Sequence, residues 1–396
     1  MATTLAERMN KFSGSPTSAL IAKVAELKRQ GKDIISLNVG EPDFGTPDYI
    51  KVAGMKAIAD NFTKYTPGNG ILELRQEIVK KLREDNGVEY ALNEVTTAVG
   101  AKQAIASAMM VLAGPGDEVL LPIPCWVSYT EMIRLAGATP VFVPVREDNY
   151  ELDLDAIEKA ITPRTKAIVI CTPNNPTGAV YSEESLRKLA ALAVEHDFFV
   201  VADEIYEKLV YDGAEHFSVA SISQEVRDRT VTVNGFSKAY AMTGWRIGYI
   251  CGPKEVISQM PKLQENVVSC ISAFIQGGGG RGGGSTEDKK RSDECVKAMR
   301  DEYRRRRDVF VDGLNSIDKI SVVKPKGAFY LFVNIKETGL TSEEFCIRLL
   351  EEQNVLTSPG SAFGAMGEGY IRISYATSMD TIKEGLKRIR AFVAAL

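Results

Sequence analysis

Apolar positions along this chain follow two rhythms. Between about residue 95 and residue 252, short runs rich in Val, Ile and Leu fall at Val95–Val99, Glu118–Leu121, Val141–Val145, Ala167–Cys171, Phe198–Ala202, Thr230–Val233 and Gly248–Cys251. Most of the gaps between them carry helical spacing, as at Gln103–Leu112 and Glu183–Glu195. Near-continuous apolar strands that alternate with helices predict a mostly parallel, seven-stranded sheet covered on both faces.

The ends of the chain read differently. Thr17–Gln30 has the spacing of an amphipathic helix stopped by Gly31, followed by a short strand at Ile34–Asn38. Thr46-Pro47 carries the cap and first-turn signature of a helix, and Ile71–Glu84 is helical up to Asn86-Gly87. Lys254–Ser272 predicts a helix kinked or interrupted at Pro261, and Glu294–Leu314 a long charged helix. Strands at Phe329–Val333 and Tyr370–Ser374 then mix with helices at Ser342–Gln353 and Asp380–Ala395. The expected architecture is therefore α/β, with a large domain over residues 46–292 and a smaller α+β domain. Residues 1–45 and 293–396 would build the smaller one.

Two stretches break the rhythm. Gly277–Gly284 holds seven glycines and Arg281 and leads into a charged run up to Asp293, so residues 277–293 are expected to be a flexible loop. The lysine of a phosphate-loop pattern is missing from it. Arg304–Arg307 reads as a solvated or ion-paired helix face, because acidic residues lie close by.

Composition narrows the function classes. The 396 residues are 44% hydrophobic and carry a net charge of −4, which excludes a basic nucleic-acid footprint. No apolar run approaches the roughly 18 residues of a membrane span, and Met1–Lys11 lacks an apolar signal core, so a cytoplasmic protein is expected. The six cysteines form no Cys-x-x-Cys pair and read as reduced thiols. His196 and His216 are the two histidines, and neither has ligand-like spacing, so no metal site is expected.

With so little histidine, proton chemistry must come from other groups. Lys238 follows the strand Thr230–Val233, among small and aromatic residues and eight positions before Arg246. Such a lysine is ordinarily a solvated charge; desolvated beside a second cation, it becomes a free amine able to attack a carbonyl. That points to a Schiff-base lysine and pyridoxal phosphate, whose other needs find candidates at neighbouring strand ends. Asp203 could pair with the pyridine nitrogen, although taken alone a helix N-cap is the commoner use for such an aspartate. Tyr206 and Asn175 could donate to the phenolic oxygen; otherwise they are a packed aromatic and a turn residue. Gly100 and Ala101 open a helix whose free N–H groups suit a phosphate, with Arg246 as a bidentate partner. Trp126 could stack on the ring or simply fill core. Arg372, alternating with apolar residues on a strand, is either a rim residue or a fork for an α-carboxylate.

Together these strings resemble the class I aminotransferases of the fold-type I pyridoxal-phosphate group. The resemblance runs over nearly the whole chain through Asn38-Val39-Gly40-Glu41-Pro42-Asp43-Phe44, Lys64-Tyr65-Thr66-Pro67-Gly68, Asn174–Gly178, Asp203-Glu204-Ile205-Tyr206, Ser237–Tyr249 and Arg372-Ile373-Ser374. It implies that Lys238 carries the cofactor and moves the substrate Cα proton. It adds Ser237 to the phosphate set of Gly100, Ala101 and Arg246, and brings the Gly40 backbone beside the α-carboxylate held by Arg372. Tyr65 would reach the phosphate of a neighbouring subunit, which implies a homodimer with shared sites. Ser15, Thr17 and Lys102 match positions that contact the side-chain carboxylate in the bacterial aspartate-type branch, with Lys102 also close to the phosphate end. Aspartate and 2-oxoglutarate are therefore the expected substrates, exchanged in two half-reactions.

Two departures stand out. Gly235 replaces a hydroxyl residue that supports the phosphate in several relatives, and the glycine tract replaces a helix of small apolar residues. Competing readings are a β-lyase on the same fold and a non-catalytic regulator, the latter lacking any DNA-binding extension here.

Overall fold

The computed structural model describes residues 9, 18–281 and 286–396. Thirteen strands can be followed among these residues, starting with β1 (Ile35–Ser36). The next seven are β2 (Val95–Ala98), β3 (Glu118–Ile123), β4 (Thr139–Pro144), β5 (Thr165–Cys171), β6 (Phe199–Asp203), β7 (Thr230–Gly235) and β8 (Gly248–Cys251). They form one sheet in the order β2-β8-β7-β6-β5-β3-β4. The pairs from β7 through β4 are parallel, whereas β8 runs antiparallel to both its neighbours. Each expected strand is present with its ends shifted by two residues or fewer.

Side-chain alternation explains why these strands are apolar throughout. Val169 and Cys171 of β5 face one core with Val201 and Ile250, while Ile168 and Ile170 face another with Val200 and Leu189. Both faces are covered, so neither can be polar.

The remaining strands are β9 (Ser321–Val322), β10 (Tyr330–Asn334), β11 (Val355–Leu356), β12 (Ser358–Pro359) and β13 (Tyr370–Ser374). Four of them make a sheet in the order β12-β13-β10-β9, and β1 pairs in parallel with β11. The Ser374 amide also donates to the Leu37 carbonyl at 2.7 Å. These bonds carry residues 35–37 to the C-terminal strands and leave residues 38–46 running across the large sheet's edge.

Several expectations are corrected. Residues 277–281 are helical, in Ala273–Arg281, and Thr286–Asn315 is one helix, so the charged run before Asp293 is not a loop. Packing overrides glycine's weak helix propensity here. A Cβ on Gly277 would lie 3.1 Å from the Ala57 Cβ, so the glycine lets this helix pack closely on the helix Asp48–Ala59. Next to it, buried Gln276 accepts from the Ile71 amide and donates to Thr66 and the Ile271 carbonyl. Lys289 pairs with Glu84, tying down the start of the long helix.

Lys254–Ser272 divides into the helices Lys254–Ile257 and Met260–Val267, and Pro261 sits in the first turn of the second, where its missing N–H costs nothing. The Thr46 hydroxyl donates to the Ala241 carbonyl instead of capping a helix. Of the two alternatives for Arg304–Arg307 the ion-paired one holds, with two of the four buried rather than solvated: Arg306 pairs with Asp43 and Glu302, and Arg307 with Asp212 and Asp308. No helix of the described residues is long and apolar enough to cross a membrane.

Candidate active site

Strand direction gathers the chemistry at one edge. β5, β6 and β7 are parallel, so Asp203 at the end of β6, and Asn175 and Ser237-Lys238 just after β5 and β7, emerge side by side. Arg246 precedes antiparallel β8 and reaches the same edge. The helix Gly100–Leu112 starts there after β2, and Trp126 follows β3. Arg372 comes from the centre of β13, across residues 38–41. The result is a cavity of about 580 Å³ lined by Lys238, Asp203, Tyr206, Asn175, Arg246 and Arg372, among others. That volume suits a ring-sized cofactor together with a small substrate.

Lys238 Nζ donates to the Gly40 carbonyl at 2.6 Å and lies 5.7 Å from the centre of the Tyr206 ring. Burial, reinforced by the Arg372 guanidinium, brings its amine down to about 8. Asp203, the last residue of β6, is buried; its carboxylate accepts from the Tyr129 hydroxyl at 2.6 Å and from the Ile205 amide at 3.2 Å. Burial pushes this acid up to about 6, against the pull of those two donors. No helix follows Asp203, so the N-cap alternative falls away. The Tyr206 hydroxyl lies 2.9 Å from that of Tyr330, and burial pushes the Tyr206 phenol up, so it remains a neutral donor.

Arg372 is buried between the rings of Tyr330 and Phe363. One terminal nitrogen donates to the Asn175 amide oxygen at 3.0 Å and the other to the Asn38 carbonyl at 2.8 Å. Among the described residues its Nε has no hydrogen-bond partner and its guanidinium no carboxylate. A buried guanidinium that faces a cavity in this way is suited to an anionic ligand.

The opposite end of the cavity is built for another anion. Gly100 has φ +72°, and a Cβ there would collide with the Arg246 guanidinium, so only glycine fits. Arg246 is itself left-handed at φ +55°, anchored by its bonds to the Thr243 and Val99 carbonyls. The Ala101 backbone and Ser237 line the same end. Lys102 sits 4.9 Å over the Trp126 ring, and burial, with Arg246 nearby, lowers its amine below the usual range.

Not every expected residue joins this cavity. Tyr65 is 88% exposed and lines no part of it. Ser15 and Thr17 lie outside the described residues. Gly235 lines a separate cavity behind the Lys238 loop, and a Cβ there would press on Gly248 and Ile247, whereas Ser237 lines the Lys238 cavity. Sequence reasoning missed Tyr129, Tyr330, Glu41 and Thr243. Glu41 accepts from the Thr243 hydroxyl at 2.8 Å at the cavity mouth. Tyr129 was detectable as the aromatic three residues after Trp126, but nothing local ties it to Asp203.

The residues fit pyridoxal phosphate at each point where that cofactor makes a demand: an amine, a buried acid, phenol-side donors and a glycine-shaped anion cradle. Fold and cavity together define a site for amine chemistry on an anionic cofactor. Residues 32–389 match the family model described as aminotransferase class I and II. The chain is 43% identical to the aspartate aminotransferase of Bacillus sp. (strain YM-2), over 98% of this chain and 99% of that one. It is 44% identical to a probable aspartate/prephenate aminotransferase of Aquifex aeolicus, over 98% of each. The solved Thermus thermophilus aspartate aminotransferase with maleate superposes with a TM-score of 0.93 at 42% identity, covering 98% of this chain and 100% of that one. The chain belongs to the class I and II aminotransferases, enzymes that in general depend on pyridoxal phosphate.

Proposed function

We propose that this aminotransferase takes aspartate as amino donor and 2-oxoglutarate as acceptor, working in two half-reactions from Lys238. The convergence of the Lys238 amine, the Asp203 carboxylate and the Arg372 guanidinium on one cavity carries the reading. Bound pyridoxal phosphate supplies a ring that withdraws electrons from the substrate Cα. Gly100, Ala101, Ser237 and Arg246 would hold its phosphate, Asp203 would serve its ring nitrogen, Asn175 and Tyr206 its phenolic oxygen, and Trp126 its ring face. Tyr129 keeps Asp203 in position.

Arg372 forks the substrate α-carboxylate beside the Gly40 backbone and so orients the Cα hydrogen toward Lys238. Lys238 Nζ, desolvated and near 8, is a base that takes this proton. Lys102 supplies a cation for the side-chain carboxylate, together with Ser15 and Thr17, which the resemblance assigns to the same end. The names of the relatives support the aspartate preference.

Exposed Tyr65 supports a homodimer. Val52, Met55 and Ile58, spaced three apart on the helix Asp48–Ala59, are exposed apolar residues as well; a second copy would cover them, and the resemblance has Tyr65 reach the partner's phosphate. The described part of residues 1–45 and the C-terminal part, which carry Gly40 and Arg372, would form a smaller domain against the larger one that would hold the cofactor. Free cysteines at six positions suit a reducing, cytoplasmic setting.

A donor panel against 2-oxoglutarate tests the assignment. Aspartate should give the highest kcat/KM and yield oxaloacetate. Ammonia and pyruvate released from cysteine-like substrates without an oxo-acid acceptor would instead make the protein a β-lyase.

A further inference from the structure

The segment that carries Asp203 and Tyr206 has two faces. Asp203 and Tyr206 reach the Lys238 cavity, whereas Glu204 and Glu207 leave from the other side into a buried polar network. The turn itself is held by the Glu204 amide bonded to the Val233 carbonyl and the Glu207 amide bonded to the Glu204 carbonyl. Behind it, the Asn86 amide nitrogen donates to Glu207 at 2.8 Å and to Glu204 at 3.4 Å, while its oxygen accepts from Lys81 at 2.6 Å. Lys81 also pairs with Glu207. Glu204 takes a hydrogen bond from Ser218 at 2.7 Å and lies 3.2 Å from His216 Nε2. One residue further along, Lys208 bonds Asp85 at 2.6 Å.

Lys81, Asp85 and Asn86 all belong to the last turns of one helix, Leu72–Asn86. That helix end therefore grips three of the five residues from Glu204 to Lys208. Glu204, Glu207 and His216 bring three possible ligand atoms within 4.8 Å of one another. Lys81, Asn86 and Ser218 already engage these carboxylates, whereas the two ring nitrogens of His216 have no hydrogen-bond partner among the described residues. Burial works against the ionised Glu207, yet the charges of Lys81, His216 and Lys208 hold it down at about 2. Buried ion pairs gain little stability over apolar packing, but they fix geometry because each partner accepts few arrangements.

We propose that Glu207 is a positioning residue for transamination. Clamped by Lys81 and Asn86, it sets the turn so that the Asp203 carboxylate and Tyr206 hydroxyl keep their places in the cavity. The inference rests on the roles given to Asp203 and Tyr206 above.

Glu207→Gln keeps the shape and breaks the ion pair. In the pyridoxal-phosphate-loaded enzyme, kcat should fall roughly tenfold with the aspartate KM nearly unchanged, since small misplacements of reacting groups cost rate. Titration of cofactor-free protein with pyridoxal phosphate should show the dissociation constant rising by about tenfold, the same misplacement read without turnover. Lys81→Met combined with Glu207→Gln should cost no more than the worse single change, because both break one interaction. A lower melting temperature with unchanged kcat and unchanged cofactor affinity would make Glu207 merely structural and overturn the proposal; additive losses in the double variant would do the same. Should Glu207→Gln fail to fold, Asn86→Ala removes the bridging amide and must show the same loss of kcat and cofactor affinity for the proposal to stand. Asp203→Asn separates the two levels. Full turnover in that variant would sink the underlying reading, whereas lost turnover there beside an unaffected Glu207→Gln would sink the positioning role alone.

Discussion

Lys238 Nζ donates to the Gly40 carbonyl oxygen at 2.6 Å, joining the loop after β7 to a segment 198 residues earlier in the chain. The bond holds the amine against the Gly40 backbone in the cavity, and burial keeps it near 8. Only the neutral amine can attack an aldehyde. The rate at which cofactor-free protein captures pyridoxal phosphate should therefore rise with pH through a midpoint near 8. Stopped-flow absorbance between pH 6.5 and 9.5 measures it. The stability sign follows from the same shift. An unfolded lysine titrates at about 10.4, so between 8 and that value the unfolded chain binds the extra proton, and this group favours the folded cofactor-free protein increasingly as pH rises.

Arg372→Lys should weaken substrate capture more than it weakens the fold. A lysine cannot bond Asn175 and Asn38 and still present two N–H groups to a carboxylate. Loss of one charge-assisted hydrogen bond, about 1.5–3 kcal/mol, lowers kcat/KM for amino acids roughly ten- to a hundredfold. Steady-state kinetics with aspartate checks this, and melting curves should barely move.

Gly100→Ala places a methyl group against the Arg246 guanidinium at φ +72°. The backbone strain is on the order of 1–3 kcal/mol, and displacement of Arg246 should weaken cofactor binding as well. Calorimetric titration with pyridoxal phosphate and with inorganic phosphate should show both affinities falling.

Tyr129→Phe removes the 2.6 Å donor to Asp203 and leaves the buried acid with the Ile205 amide. The acid's value should rise further above about 6, because one of its two hydrogen-bond donors is gone and only the Ile205 amide and the Lys238 charge still favour its charged form. Below neutral pH, the variant should lose cofactor affinity faster than the parent enzyme, as fewer molecules carry a charged Asp203. Dissociation constants measured from pH 5.5 to 8 test the difference.

Strand positions were readable because both faces of the sheet are buried, which makes each strand an apolar block between helices. Lys238, Asp203, Asn175 and Arg246 could be placed at one edge from strand ends alone. Tyr129 and Tyr330 could not, since their partners lie 74 and 124 residues away and aromatic residues look like core in a linear reading. The helix through Gly277–Arg281 was hidden for a related reason. Glycine's local preference points to a loop, and only the approach of the helix Asp48–Ala59 and the buried Gln276 bonds reverse it. The buried arginines at 306 and 307 likewise depend on Asp43 and Asp212, carboxylates far away in the chain.

Attachment of the cofactor to Lys238 is the central claim, and chemical trapping tests it most directly. The protein is loaded with pyridoxal phosphate, reduced with borohydride, digested and read by peptide mass spectrometry. A single phosphopyridoxyl mass increase on the peptide containing Lys238, lost in Lys238→Ala together with turnover, is the predicted result. A label on Lys102 or another lysine, or full turnover in Lys238→Ala, would contradict it.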